Sequence, residues 1–168
     1  MVNRRELLQL GAALSALPLI GVARANPSPL YKVIFDGRSA AGQSFGREVT
    51  RLGTPDLAHA IDGDVTDVWY HDLYPRWRRG PVAIAGLTDY AAIFCLERLA
   101  WDFGMRTVFR ADHKVGNETA WGPRAARTII GLPAGMTAVA PLGPRPEHMT
   151  TGEPWLVSWV IAPPRPLP

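Results

Sequence analysis

Four short polar clusters carry residue types that chemistry uses, and each follows an apolar run: Asp36-Gly37-Arg38-Ser39, Asp62-Gly63-Asp64, Gly86-Leu87-Thr88-Asp89 and Asp112-His113. Asp36, Asp62 and Asp64 are hard oxygen donors of the kind that hold Mg²⁺ or Ca²⁺. Gly37-Arg38-Ser39 ahead of a helix offers backbone N–H groups, a positive dipole end and a guanidinium, which suit a phosphate or carboxylate. His113, set against Asp112, Asp36 or Asp89, has the chemistry of a general base. Taken one at a time, Ser39, Asp64 and Thr88 are first of all helix-cap residues.

The sequence lacks the motifs that would complete a known chemistry. It has no G-x-G-x-x-G and no phosphate-binding G-x-x-x-x-G-K-[ST], so no cofactor is expected. Its G-x-S-x-G match, Gly42-Gln43-Ser44-Phe45-Gly46, lies inside the stretch 39–52 read as a helix and not on the strand-to-helix turn that a nucleophile elbow needs. His59, His71 and His148 are scattered without zinc-ligand spacing. Asp36 at a strand end is similar to the nucleophile of the aspartyl phosphatases, but Arg38 stands where a second aspartate belongs. Two functions remain. One is a binding or accessory protein holding a small anionic ligand at Arg38, Ser39, Asp62, Asp64, Thr88 and Asp89. The other is a small hydrolase using Asp36 and His113 with Asp62 or Asp89, with or without a divalent metal. A further surface, Trp69, Tyr70, Tyr74, Arg76, Trp77 and Arg78, crowds the residue types that dominate interface hot spots. Trp69, Leu73 and Trp77 fall on a core stripe within it, which leaves the tyrosines and arginines, Arg79 included, outside.

These residues can meet only if the elements beneath them align. Residues 79–113 read as strand, turn, helix and strand, a βαβ crossover unit. Thr88 is the expected N-cap of its helix, with Asp89 in the first turn. Ile93, Leu96, Ala100 and Phe103 form the apolar stripe, and Gly104 ends the helix. Upstream, Tyr31–Asp36 reads as a strand, Ser39–Leu52 as a helix and Leu57–Ile61 as a short strand. A helix opened by Asp64 follows, with Pro75 expected to stop or kink it. The order predicts an α/β fold: a small, mostly parallel sheet (βαβαβαβ) with helices on both faces. Ligands bind beyond the carboxyl ends of such strands, where the four polar clusters would share a rim. In the Gly- and Pro-rich stretch 114–153, only Thr128–Ile130 and Thr137–Val139 look like strands. Trp155–Ile161 alternates strongly and is expected as a late antiparallel edge strand beside 107–110.

Residues 1–25 read as a leader. Asn3-Arg4-Arg5-Glu6-Leu7-Leu8-Gln9 precedes an apolar run from Leu10 to Val22 and an Ala23-Arg24-Ala25 cleavage site. The paired arginines before two leucines resemble the twin-arginine export signal. Leu7 and Gln9 depart from the phenylalanine and lysine common there. The resemblance implies export to the periplasm and cleavage after Ala25. No permanent membrane span is expected after cleavage, because the run is broken by Gly11, Ser15, Pro18 and Gly21. Losing Arg4, Arg5, Arg24 and Glu6 lowers the formal net charge from +3 to +1, so nucleic-acid binding is not expected. The one cysteine, Cys95, permits no internal disulfide and is expected as a buried, inert thiol. The mature chain then divides into a single domain, 26–162, and a proline-rich tail, 163–168.

Overall fold

A computed structural model describes residues 29–53, 55–114, 121–143 and 155–164. The leader and most of the tail fall outside them. Five strands form one mixed sheet: β1 (Lys32–Asp36), β2 (Ala58–Ile61), β3 (Ile84–Thr88), β4 (Arg106–Lys114) and β5 (Trp155–Ala162). Their order is β2-β1-β3-β5-β4. β1 pairs in parallel with β2 and β3, while β5 runs antiparallel to both β3 and β4. The first four strands therefore share a direction. β5 does pair with β4, as expected, yet it lies inside the sheet and not at an edge. The sequence carries the reason. Trp155, Val157, Trp159 and Ile161 face one core, and Leu156, Val160 and Ala162 face the other, so both sides need cover.

Each core lies under a pair of helical elements. On one face pack α4 (Tyr90–Trp101) and a helical run made of α2 (Thr66–Val68), a π-turn (Trp69–Leu73) and α3 (Tyr74–Arg78). On the other pack α1 (Ala40–Leu52) and α5 (Trp121–Ile130), stapled by Glu48 of α1, which accepts hydrogen bonds from Arg51 and Arg127. Pro75 does not break its helix. The chain widens first: the Tyr74 N–H donates to the Trp69 carbonyl five residues back, and proline then falls at the start of α3, where a missing N–H is tolerated. Trp77 and Leu73 are fully buried there, with the Trp77 Nε1 donating to the Val82 carbonyl at 3.1 Å.

The crossover helix α4 buries Ile93, Leu96 and Ala100, and it ends before Gly104 at φ +69°. Its N-cap is Asp89 rather than Thr88: Asp89 Oδ1 accepts from the Ala92 N–H at 2.9 Å. Thr88 is the last residue of β3, and its hydroxyl accepts from the Trp159 indole N–H at 3.0 Å. That indole crosses β3 at Gly86, where a Cβ would come within 2.5 Å of the ring. Cys95 is exposed on the outer side of α4, which corrects the expectation of a buried thiol. Residues 128–130, expected as a strand, lie in α5. Pro123 reads as a breaker in sequence but sits in the first turn of this helix, where proline is allowed. Residues 137–139 form no strand; the Val139 N–H makes one 2.8 Å bond to the Thr107 carbonyl.

Candidate functional site

The sharp turn after β1 folds Arg38 back onto Asp36. Its Nε and backbone N–H both donate to Asp36 Oδ1 at 2.9 Å, and Nη2 donates to Oδ2 at 2.6 Å. The same Nη2 reaches Asp89 Oδ2 at 2.7 Å, across from β1 to the start of α4. Asp36 is 3 % exposed. Burial alone would raise its carboxyl; the Arg38 side chain and amide outweigh this and hold it below the ordinary aspartate range. The guanidinium is stabilised in its charged form by the same two carboxylates. Gly63, at φ +98°, leaves the room it occupies: a Cβ there would stand 2.4 Å from the guanidinium carbon. Asp36, Arg38 and Asp89 thus form a closed ion cluster at the strand ends.

The other rim candidates are spent on local structure. Ser39 caps α1, accepting from the Gly42 N–H at 2.9 Å. Asp64 accepts from the Thr66 N–H at 2.8 Å, which with the Thr66 side chain keeps its carboxyl low. Asp67 pairs with His71 at 2.9 Å on the exposed face. Among the described residues no three His, Cys, Asp or Glu side chains gather as metal ligands, so Asp36, Asp62 and Asp64 do not converge. What the rim does provide is an open groove of about 500 Å³ at the ends of β1 and β2, lined by Gly37, Arg38, His59, Asp62, Asp64 and Asp67. The place of His59 and Asp67 in the groove is not legible in sequence, because nothing local marks a strand histidine or a first-turn aspartate as a groove wall. Burial, then Lys32, lowers the His59 imidazole below its usual value.

Asp36 and His113 do not meet. β4 runs on to Lys114, so His113 lies within the strand, in register with Leu156 of the α1/α5 core. Asp36 alternates with Ile34 toward the opposite face. Three strand spacings, about 14 Å, also separate β1 from β4. His113 instead holds Ser158: Nε2 and Oγ are 2.8 Å apart. The Trp121 ring stacks on the imidazole at 4.6 Å and 12°. Burial lowers the His113 imidazole, against a weaker opposite pull from Asp112.

The Trp/Tyr/Arg segment separates cleanly by helix face. Trp69 and Trp77 are buried and leave the candidate surface, and Arg76 is turned inward, donating to the Gly80 carbonyl at 2.8 Å. Tyr70 and Tyr74 are 64 % and 39 % exposed. With Pro75, Arg78 and Arg79 they line a shallow groove of about 380 Å³. The Arg78 guanidinium lies 5.9 Å from the Tyr74 ring centre, and the Arg79 Nε donates to the Pro75 carbonyl at 3.2 Å. Neither arginine has a carboxylate partner among the described residues. No protein-family model matches the chain, and neither a curated protein nor a solved structure matches it.

Proposed function

We propose that this chain is an exported accessory protein. Its leader is removed after Ala25, and the remaining domain docks an acidic segment of another exported protein in the groove of Tyr70, Tyr74, Pro75, Arg78 and Arg79. The observation that carries this reading is the contrast between two clusters of charge. At the ends of β1 and β3 the Arg38 guanidinium is held by two carboxylates, whereas Arg78 and Arg79 stand exposed beside Tyr70 and Tyr74 with no carboxylate partner among the described residues. Exposed tyrosines supply contact area at low entropic cost, and free guanidinium groups take carboxylates in bidentate fashion. The test uses a short glutamate-rich peptide as probe against the mature protein. Arg78→Ala plus Tyr70→Ala should weaken binding at least tenfold, and added salt should weaken the wild type similarly. The melting midpoint should be unchanged, since both side chains point outward. Salt-insensitive binding, or binding untouched by the double change, would overturn the docking surface. Recovery of the mature chain in the cytoplasmic fraction would overturn export.

A second reading rests on the groove at the ends of β1 and β2. Asp62, Asp64 and Asp67 line it, and its one arginine is already neutralised, so its charge suits a small cation or amine rather than the anion expected from Arg38. A diamine that raised the melting midpoint, with no effect of the Tyr70 and Arg78 changes, would favour this site.

A further inference from the structure

On the opposite face of the sheet, between β4 and α5, lies a cavity of about 230 Å³ whose walls include Phe109, His113, Trp121, Arg124, Thr128 and Ser158. Its floor is a hydroxyl and an imidazole in direct contact. We propose that Ser158 is a nucleophile and His113 its general base, in a site that cleaves small carboxylic esters. This goes beyond docking and uses none of the residues of that surface.

The geometry meets the first requirement of nucleophilic catalysis, a hydroxyl within hydrogen-bond reach of a base. The Oγ–Nε2 separation is 2.8 Å. The competing acceptor, the Ala111 carbonyl, stands at 3.4 Å, too far to hold the hydroxyl proton firmly. Burial pushes the imidazole below its ordinary value and so favours the neutral ring, which accepts from the hydroxyl at Nε2 when its own proton is on Nδ1. The stacked Trp121 ring, 4.6 Å away, holds the plane of the imidazole, so the pair works as a dyad without a carboxylate. Asp112 cannot take that part, because strand alternation sends it to the other face, in register with Val157. Arg124 lines the same cavity and brings positive charge for an oxyanion. The cavity holds the volume of about eight waters, which limits the acyl group to a short chain.

Each step balances. Ser158 Oγ bonds to the acyl carbon while its proton passes to His113 Nε2; the ester C–O bond breaks, and the departing alkoxide takes that proton as an alcohol. Water then attacks the acyl-serine by the same path, releasing a carboxylic acid and restoring the hydroxyl. The test is covalent labelling of the mature protein with a small alkyl fluorophosphonate, located by peptide mass spectrometry. Ser158 should carry the label, and His113→Gln should slow labelling at least 100-fold, the contribution expected of a positioned base. Acetyl ester hydrolysis should fall in parallel, while Cys95→Ser, at an exposed position outside every site described, should leave both unchanged. An unlabelled Ser158 in the wild-type protein overturns the proposal whatever the variants do, as does labelling indifferent to His113→Gln in a folded variant.

Discussion

Removing the guanidinium of Arg38 would leave a buried carboxylate with little but one backbone N–H to answer it. Arg38→Met should cost about 1–3 kcal/mol, toward the lower end because the arginine side chain is 52 % exposed and screened by water. The sign with pH follows from Asp36. Its folded carboxyl titrates below the usual 3.8, so its stabilisation is present above that value and disappears as pH falls through the folded pKa. Denaturant melts of wild type and variant should therefore differ at neutral pH and converge in strong acid. The sequence displayed Asp36, Arg38 and Asp89 as candidates but not their mutual pairing, because nothing local announces that Asp89 lies across a strand gap from Arg38. His113 was misplaced for a subtler reason. In a strand one residue of length decides the face, and β4 extends past the point where its apolar run stops.

At the scale of elements, one buried carboxylate ties three segments together. Glu97 of α4, 1 % exposed, accepts from the Thr107 hydroxyl of β4 at 2.7 Å and from the Leu142 N–H at 2.8 Å. Arg98 and Tyr90 of the same helix hold the Leu142 and Gly143 carbonyls at 2.7 Å each. Glu97→Ala leaves two donors without an acceptor and should cost about 2–5 kcal/mol by chemical denaturation, with Glu97→Gln recovering part of it. Such a tie is invisible in sequence, where residues 137–139 look like a short strand and nothing marks Leu142 or Gly143 as partners of α4. The strongly periodic elements α1, α4 and β5 were readable, since burial of one stripe or of alternate residues dictates their pattern. α5 was not: Gly122 and Pro123 punctuate its start, and its buried set, Ala125, Ala126 and Ile129, is too small to stand out.

For the whole molecule, the alternation of strands and helices was enough to give an α/β sheet with helices on both faces, and four strands do run together. Position in the sheet was the part that local pattern could not supply, because the last strand pairs with two partners distant in sequence. Its position makes it indispensable. Deleting residues 155–168 should remove both faces of contact at once, exposing the long edges of β3 and β4, and the truncated protein should show no cooperative thermal transition by circular dichroism. A folded, cooperatively melting truncation would mean that β5 is an accessory strand.

The sheet is also completed in an unusual order in time. Ribosomes deliver β1 to β4 before β5, yet β5 makes the seam joining β3 to β4. Until β5 is in place, the β2-β1-β3 group and β4 have no hydrogen-bonded connection within the sheet. The bare edges of β3 and β4 before β5 arrives are a window in which a chaperone has something to hold.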